Sequence, residues 1–390
     1  MKNHFELAHS VFEETVALRH HLHQHPEVSG EERETLAFIV GHLDKLGVKY
    51  RIHSNGGVTA VIGSGARSVG IRGDMDALPV TETTGLPWAS QNPGVMHACG
   101  HDVHTALLLG AAMMFKSIED ELPCAVKLFF QPAEETVGGA KTMIDEGCML
   151  DPVTDNVLGV HVDPNIPLGS AGFLPGKMNA AVIDLDITVR GKGCHGAHPE
   201  QGIDAIVVAA QIITALQTVN SRMSAPTDPV VVTVGSINGG TGRNIVAGEV
   251  HLKGTVRVLD METAAKVKAH IRSVVNGVAA AWGAEANVEL IDNYPALVND
   301  RQVTERMIAV SRNLLGDENT VLFDTPSMGA DDFAYFTNAA KGCYFNLGTA
   351  EPGKPLLSLH SGNYAPHDDC ILTGLALISA GLQALMEAPV

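Results

Sequence analysis

Apolar residues in the first half of the chain follow helical periods that alternate with short runs typical of buried strands. Amphipathic helical spacing covers residues 5–24 and 31–47, and further helices are predicted at 105–118 and near 140–146. The predicted strands between and after them are 58–62, 68–72, 125–130 and 156–162. This alternation predicts an α/β fold whose sheet carries helices on both faces.

The pattern changes after residue 178. Predicted strands at 182–190, 230–236, 250–258 and 288–291 and helices at 203–219 and 263–281 follow the order βαββαβ, as in a ferredoxin-like domain. Strand 343–347 and a final apolar helix, 371–386, then resume the α/β pattern. The 390 residues exceed what one core usually serves. We therefore expect one domain from residues 1–178 and 292–390, with a second, 179–291, inserted.

Composition narrows the class of protein. Acidic residues outnumber basic ones 44 to 26, for a net charge of −18, which argues against nucleic acid and anionic membranes as partners. The first residues lack the apolar run of a signal peptide, and the longest such run, 106–115, is too short to span a bilayer. Six scattered cysteines without CxxC spacing suit a reducing compartment. These features predict a cytoplasmic enzyme.

Potential metal ligands recur where predicted strands end. They are Asp74 and Asp76 in GDMDALP, Cys99 and His101 in HACGHD, Glu134 and Glu135 in QPAEE, His161 in GVHVD, and His360 in LHSGNY. Ligands collect beyond the carboxyl ends of strands in open α/β sheets. Thiolate, imidazole and carboxylate together suit zinc-like ions, and a pair of ions ~4 Å apart can stabilise a hydrolytic transition state. The set therefore predicts a dinuclear metal hydrolase.

Other histidines are weaker candidates. The tract HHLHQHP, with its four histidines, lies far in sequence from any carboxylate cluster, and we expect it to pack or face solvent. His97 and His101 have the i, i+4 spacing of a zincin, but Ala98 stands where that motif needs glutamate. His104 is expected to be structural, and His367 remains unassigned.

These motifs, with the HGAHP loop and the loop around Asn244, resemble the aminoacylase and carboxypeptidase G family of metal-dependent amidohydrolases along essentially the whole chain. CGHD, with its cysteine, is similar to the hippurate hydrolase and indoleacetyl-amino-acid hydrolase branch. The resemblance implies a dinuclear-metal exopeptidase-like catalytic domain with an inserted ferredoxin-like lid or dimerisation domain.

The resemblance also implies roles for individual residues. Two divalent ions would be bound by Cys99, as a bridging thiolate, together with His101, Glu135, His161 and His360. Glu134 would be the general base. Asp76 would contact the His101 ring on the side away from the metal and so fix its orientation. Many relatives have a histidine ligand where this chain has Asp74, so Asp74 is expected to be structural, with His101 taking the vacated ligand place. Asp102 could support a ligand or cap a helix.

The inserted domain is expected to contribute as well. His195 corresponds to the lid histidine that stabilises the oxyanion, often from the opposite subunit, although it could instead cap the helical turn that follows. Asn244 and Arg257 match substrate-binding positions, and Arg257 could alternatively serve a structural ion pair. After His360 the chain reads HSGNYAPHDD, a departure from the HSPxFxxDE of relatives that affects the expected pocket.

The resulting prediction is a hydrolase that splits the amide bond of N-acyl amino acids, such as acetyl or benzoyl derivatives. Zinc, manganese, cobalt or nickel would serve as the metal, and a homodimer or higher homo-oligomer is expected. A dipeptidase or carbamoyl-amide hydrolase on the same fold is the alternative. A catalytically silent binding relative would be expected to lack Glu134 or a ligand, and this chain has both.

Overall fold

The computed structural model describes residues 3–136 and 138–387. The α-helices in these ranges are α1 (His4–His9), α2 (Phe12–Gln24), α3 (Arg33–Leu46), α4 (His101–Ser117), α5 (Gly139–Asp145), α6 (Ala205–Arg222), α7 (Met261–Ala281), α8 (Arg301–Leu315), α9 (Ala334–Ala339) and α10 (Asp369–Glu387). The strands are β1 (Lys49–Ile52), β2 (Val58–Ile62), β3 (Arg67–Asp74), β4 (Ala125–Gln131), β5 (Val153–Pro167), β6 (Ala171–Phe173), β7 (Gly176–Asn179), β8 (Ala181–Arg190), β9 (Cys194–His195), β10 (Val230–Gly239), β11 (Ile245–Val246), β12 (Glu249–Val258), β13 (Glu285–Tyr294), β14 (Leu297–Asn299), β15 (Thr320–Leu322) and β16 (Lys341–Ala350).

The chain forms two compact units. Unit 1 comprises residues 1–176, 298–325 and 332–390, and unit 2 comprises residues 177–297 and 326–331. The predicted division at 178–179 and 291–292 lies close to these boundaries. The use of unit 2 as a lid or dimerisation domain stays a prediction.

Unit 1 is built on an eight-stranded sheet in the order β1-β2-β4-β3-β5-β16-β6-β15. The central neighbours β4, β3, β5 and β16 run parallel, whereas β1 and β2 are antiparallel additions at one edge. The α/β fold class is therefore confirmed. The predicted helix over residues 5–24 is broken in two, because the backbone departs from helical geometry at Val11, with φ −121°, between α1 and α2.

Helices cover both faces of this sheet. On β4, Phe130 belongs to the core shared with α4 and α10, while its neighbour Phe129 points the other way and lies 5.1 Å from Phe336 of α9. Helix α10 is long and apolar enough to cross a membrane, but 78% of its most apolar window is buried, so it packs as a core helix of unit 1.

Unit 2 contains a four-stranded antiparallel sheet in the order β10-β12-β8-β13. Helices α6 and α7 pack against it around a core of small and β-branched residues. The sequence order β8-α6-β10-β12-α7-β13 is the predicted βαββαβ order. The short pair β9 and β11 lies beyond the end of β8.

Strand register in unit 1 brings several loops to one edge of the sheet. Asp74, the last residue of β3, is level with Gln131, the last residue of β4. On the other side of β3, Arg72 pairs with Gly159, so His161 of β5 comes level with Asp74. Asp74 and the segment that follows Gln131 therefore lie beside His161, which is still within β5.

Candidate metal centre

A tight turn before α4 carries Cys99 and His101. Gly100 between them adopts a left-handed conformation, with φ 86°, and a Cβ there would lie 2.3 Å from Val162 Cγ2. Glycine meets both requirements because it has no Cβ. The Thr105 hydroxyl, one turn into α4, donates to the last carbonyl of β3 at 2.8 Å. The turn is thereby fixed against the sheet.

Two groups of potential ligands share Cys99. One contains Cys99, His101 and His161, and the other contains Cys99, Glu135 and His360; within each group the ligand atoms lie within 4.8 Å of one another. Cys99 Sγ is 3.4 Å from His161 Nε2, and His360 Nε2 is 3.2 Å from Glu135 Oε1. The five predicted ligands thus lie together, with Cys99 at the place that a bridging thiolate would take.

Two atoms of this cluster lack the partners that buried polar atoms normally have. His101 Nε2 is buried without a hydrogen bond. Glu135 Oε1 is buried as well, and although His360 Nε2 is near, the two do not meet with hydrogen-bond geometry. Buried polar atoms without partners call for an explanation. A metal ion supplies one, because it would accept the lone pairs of both atoms.

The electrostatics of the site favour a cation. Burial opposes a charge on the His101 ring, yet its acidic surroundings, Asp74 first, raise the pKa of that ring well above its ordinary value. Burial also raises the pKa of the Cys99 thiol. A bound divalent ion would reverse this second shift, since it stabilises the thiolate directly.

Glu134 and Glu135 follow β4 after a sharp, strained turn at Ala133, which we call the corner. Ala133 before them has φ 58°, a left-handed conformation that residues other than glycine seldom adopt. The Glu135 N–H donates to Asp76 Oδ2 at 3.0 Å, and Asp76 Oδ1 lies 3.1 Å from His101 Nδ1. Asp76 therefore contacts the backbone N–H of one predicted ligand, Glu135, and the ring of another, His101. Glu134 is 8% exposed and lies with His101 and Glu135 in a further group of close ligand atoms.

Asp74 and His104 also lie near His101, but other contacts occupy them. Asp74 accepts from Arg72 Nη1 at 2.5 Å and from His104 Nδ1 at 2.5 Å. His104 Nε2 accepts the Val162 N–H at 2.9 Å. With both ring nitrogens of His104 used and Asp74 paired to a buried guanidinium, the two residues brace the sheet against α4.

Asp102 joins a buried ion-pair network instead of capping α4. Its Oδ2 accepts from Arg19 Nε and from His23 Nδ1, both at 3.0 Å, and all three side chains are fully buried. Burial lowers the pKa of His23, but Asp102 outweighs this and raises it to about 9. His23 comes from the HHLHQHP tract, whose role as a partner of Asp102 the sequence did not indicate.

His360 and the segment after it pack against the turn that carries Cys99 and His101. His360 itself has φ 62°, and its N–H donates to the Ala98 carbonyl at 2.8 Å. Tyr364, one of the departures from the family pattern, is fully buried and lies 3.5 Å from the place that a Cβ on Gly100 would occupy. His367 accepts the Asp369 N–H at 3.2 Å at the start of α10 and is in none of the ligand groups found among the described residues.

Unit 2 places its candidate residues in two different places, His195 and Asn244 at the short β9–β11 pair and Arg257 in the four-stranded sheet. His195 pairs with Ile245 in the β9–β11 ladder, and the Gly196 N–H donates to the Asn244 carbonyl at 2.7 Å. Arg257 is near the far end of β12, opposite Val182, and half-buried. Strand geometry separates it from the start of β12 by about 26 Å. Asn244, which precedes β12 in the chain, and Arg257 therefore lie toward opposite ends of this strand.

Comparison with known proteins identifies the family to which this chain is similar. A family model described as peptidase family M20/M25/M40 matches residues 70–384. The N-acetyl-L-cysteine deacetylase of Bacillus subtilis (strain 168) is 41% identical over 337 residues, which cover 86% of this chain and 80% of that protein. The IAA-amino acid hydrolase ILR1-like 2 of Arabidopsis thaliana is 36% identical over 386 residues, which cover 97% of this chain and 86% of that protein.

Solved structures show the same architecture. The Bacillus subtilis YXEP protein, described as a dinuclear metal binding peptidase from the M20 family, superimposes with a TM-score of 0.84 and 29% identity, covering 97% of this chain and 99% of that chain. The predicted resemblance to the amidohydrolase family is confirmed.

Proposed function

Because this chain belongs to peptidase family M20/M25/M40 and is a metal-dependent amidohydrolase, we propose that it hydrolyses the amide bond of N-acyl amino acids to a carboxylic acid and a free amino acid. The observation that carries the proposal is the corner at Ala133, where Glu135 turns to the ligand cluster and the adjacent Glu134 stays beside it. The names of the relatives above support acyl-amino-acid substrates.

The metal sites follow from the donor set. We propose Cys99, His101, Glu135, His161 and His360 as the ligands of two divalent ions. Those ions would polarise the scissile carbonyl and lower the pKa of the attacking water. Thiolate with imidazole and carboxylate is compatible with zinc, manganese, cobalt or nickel, and we propose one of these as the native metal.

The remaining chemistry belongs to side chains. Glu134 takes a proton from the attacking water and delivers it to the leaving amine, as a general base and then a general acid. Asp76 holds the His101 ring by its Nδ1, which leaves Nε2 directed into the ligand cluster.

Residues of unit 2 would complete the site by assembly. We propose that His195 stabilises the oxyanion and that Asn244 and Arg257 bind the substrate carboxylate. Because Asn244 precedes the start of β12 and Arg257 lies near its end, we infer that the Asn244 and Arg257 that bind one substrate come from different copies of the chain. The proposal therefore includes a homodimer or higher homo-oligomer, which we place in the cytoplasm.

A substrate panel tests the proposed function. Enzyme reconstituted separately with each candidate metal is assayed on N-acetyl and N-benzoyl amino acids, on dipeptides and on N-carbamoyl amino acids, with release of the amino acid as the readout. We expect N-acyl amino acids to be hydrolysed fastest, and chelation to abolish the activity. Preference for dipeptides or carbamoyl compounds would favour the alternative on the same fold. Full activity in a sample that elemental analysis shows to be free of metal would exclude the metal-dependent reaction.

Blocking the substrate carboxylate tests the binding residues. We expect amides and esters at that carboxylate to react far more slowly than the free acids, and Arg257→Ala to narrow the difference. Lys253→Ala, which removes an exposed cation from the same strand, is the matched control. Equal rates on free and blocked substrates would exclude this pocket.

A further inference from the structure

Glu32 is a buried carboxylate that belongs to none of the predicted site residues. It stands directly before α3, in the N-cap position, and is 6% exposed. An N-cap side chain normally accepts hydrogen bonds from the first amides of its own helix. Here it makes no such bond. The Glu32 carboxylate therefore does not act as the cap of α3.

Glu27 caps α3 instead. Its carboxylate accepts the N–H groups of Glu34 at 3.1 Å and Thr35 at 2.8 Å, together with the Thr35 hydroxyl at 2.9 Å. Glu32 is thereby released from its own helix, and its Oε1 accepts the Ala133 N–H at 2.8 Å. This bond joins α3 to the corner that precedes Glu134.

The corner needs such support. Ala133 adopts φ 58°, where its Cβ crowds the backbone, and an alanine does not hold this conformation without tertiary contacts. Its N–H is held by Glu32, and its carbonyl accepts the Gly138 N–H at 2.9 Å. Hydrogen bonds to a buried carboxylate are among the stronger ones in proteins. The Glu32 contact therefore opposes relaxation of Ala133 to an ordinary backbone conformation.

Residues 27–32, the segment that contains Glu32, also hold the backbone at Glu135, through Asp76. The Ser29 hydroxyl donates to Asp76 Oδ2 at 2.5 Å, and that oxygen also accepts the Glu135 N–H at 3.0 Å. The segment is tied to the end of β3 in turn, because the Ala77 N–H donates to the Glu27 carbonyl at 2.8 Å. Residues 27–32 thus hold the corner at two points, at Ala133 directly and at Glu135 through Asp76.

We propose that Glu32 is a positioning residue whose carboxylate holds Ala133 left-handed and so keeps Glu134 aimed at the attacking water. This inference rests on the proposed function in taking Glu134 as the base. Glu32 touches neither substrate nor ligands in this arrangement, and it acts through the backbone of the corner.

The kinetic test compares two substitutions of Glu32. Glu32→Ala removes the acceptor, and we expect kcat to fall roughly 10- to 100-fold, the usual effect of a small misplacement of a reacting group, while KM and metal content stay within about twofold. Glu32→Gln keeps an amide oxygen to accept the Ala133 N–H, and we expect kcat within about threefold of wild type. Glu34→Ala, which removes an exposed carboxylate from the first turn of α3, is the matched control and should leave kcat unchanged.

A double variant tests the role of the left-handed backbone. Glycine adopts positive φ freely, so Ala133→Gly combined with Glu32→Ala should recover at least about threefold in kcat over Glu32→Ala alone. A double variant no faster than Glu32→Ala would contradict the conformational role. Equal kcat in Glu32→Ala and wild type, or equal losses in the alanine and glutamine variants, would overturn the proposal.

Hydrogen–deuterium exchange gives a readout that does not depend on activity. In metal-free protein, peptides containing the Ala133 amide should exchange faster in Glu32→Ala than in wild type or Glu32→Gln. If this holds and no amide substrate is hydrolysed, the proposed function fails and the positioning contact stands. If the wild type hydrolyses N-acyl amino acids and exchange at Ala133 is the same in all variants, only the inference about Glu32 is wrong.

Discussion

The His23–Asp102 pair makes the stability of unit 1 depend on pH above neutrality. Asp102 raises the pKa of the His23 ring from 6.5 to about 9 against the effect of burial. A raised pKa in the folded state means that protonated His23 stabilises the fold fully below pH 6.5. That contribution is lost as the pH rises through about 9.

The size of the effect follows from the shift. At about 1.4 kcal/mol per pKa unit, the shift of His23 from 6.5 to about 9 corresponds to an upper value of about 3.5 kcal/mol. The His23 ring is fully buried, so solvent does not screen the pair, but Arg19 shares the same Asp102 oxygen. We therefore expect the free energy of unfolding of wild type to fall by about 2 to 3 kcal/mol more than that of His23→Gln when the pH rises from 6 to 9.5. Burial lowers the pKa of His97 and of His104 to about 4, so over this range these two groups titrate only in the unfolded chain, and their contribution is the same in wild type and in His23→Gln.

Tryptophan fluorescence can isolate this transition. The chain has two tryptophans, and Trp88 lies 4.8 Å from the His23 ring in an edge-on contact. In a Trp282→Phe background, urea unfolding of metal-free protein then reports on unit 1 through Trp88. His9→Gln, at an exposed position of α1, is the control for loss of a histidine. The reasoning would be refuted if the free energies of unfolding of wild type and His23→Gln changed in parallel with pH. It would also be refuted if wild type lost stability relative to His23→Gln as the pH was lowered from 9.5 to 6.

Three further outcomes are expected. Glu134→Gln should keep both ions and lose most turnover, whereas Glu135→Gln should weaken metal binding; equal metal content and similar residual rates would show that the two roles are wrongly assigned. Gly100→Ala should destabilise unit 1 by about 3 kcal/mol or more in urea unfolding, because φ 86° and the 2.3 Å approach to Val162 both exclude a side chain, while Gly41→Ala in α3, with open space around it, should not destabilise. Mixing His195→Ala with Glu134→Ala subunits should restore about a quarter of wild-type activity through hybrid dimers, and no recovery after demonstrated subunit exchange would place His195 outside a shared site.

Local patterns were sufficient to predict the fold class and most elements. Strand 58–62 was predicted with the bounds that β2 has, because a short apolar run bounded by glycines has few other solutions. Helix α4 starts earlier than predicted, at His101, because Gly100 begins the helix by backbone conformation and not by a capping side chain. The amphipathic helix α8 was not predicted, although its buried residues recur at helical spacing.

Motifs predicted the ligand cluster, but not the contacts that support it. Cys99, Glu135 and His360 are recognisable because thiolate, carboxylate and imidazole recur at strand ends. The bonds from His23 to Asp102 and from Glu32 to Ala133 join residues 79 and 101 positions apart. Neither residue type is unusual where it stands, and only the folded chain brings the partners together.

The central place of β16 determines when unit 1 can be completed during synthesis. This strand pairs with β5 on one side and β6 on the other, yet it follows the helices and the four-stranded sheet of unit 2 in the chain. Until it leaves the ribosome, β5 has an open edge, which is where a nascent chain would bind a chaperone or another copy. We therefore expect unit 2 to fold first and unit 1 to close last. Since His360 follows β16 in the chain, the complete set of proposed ligands is present only after this strand has left the ribosome.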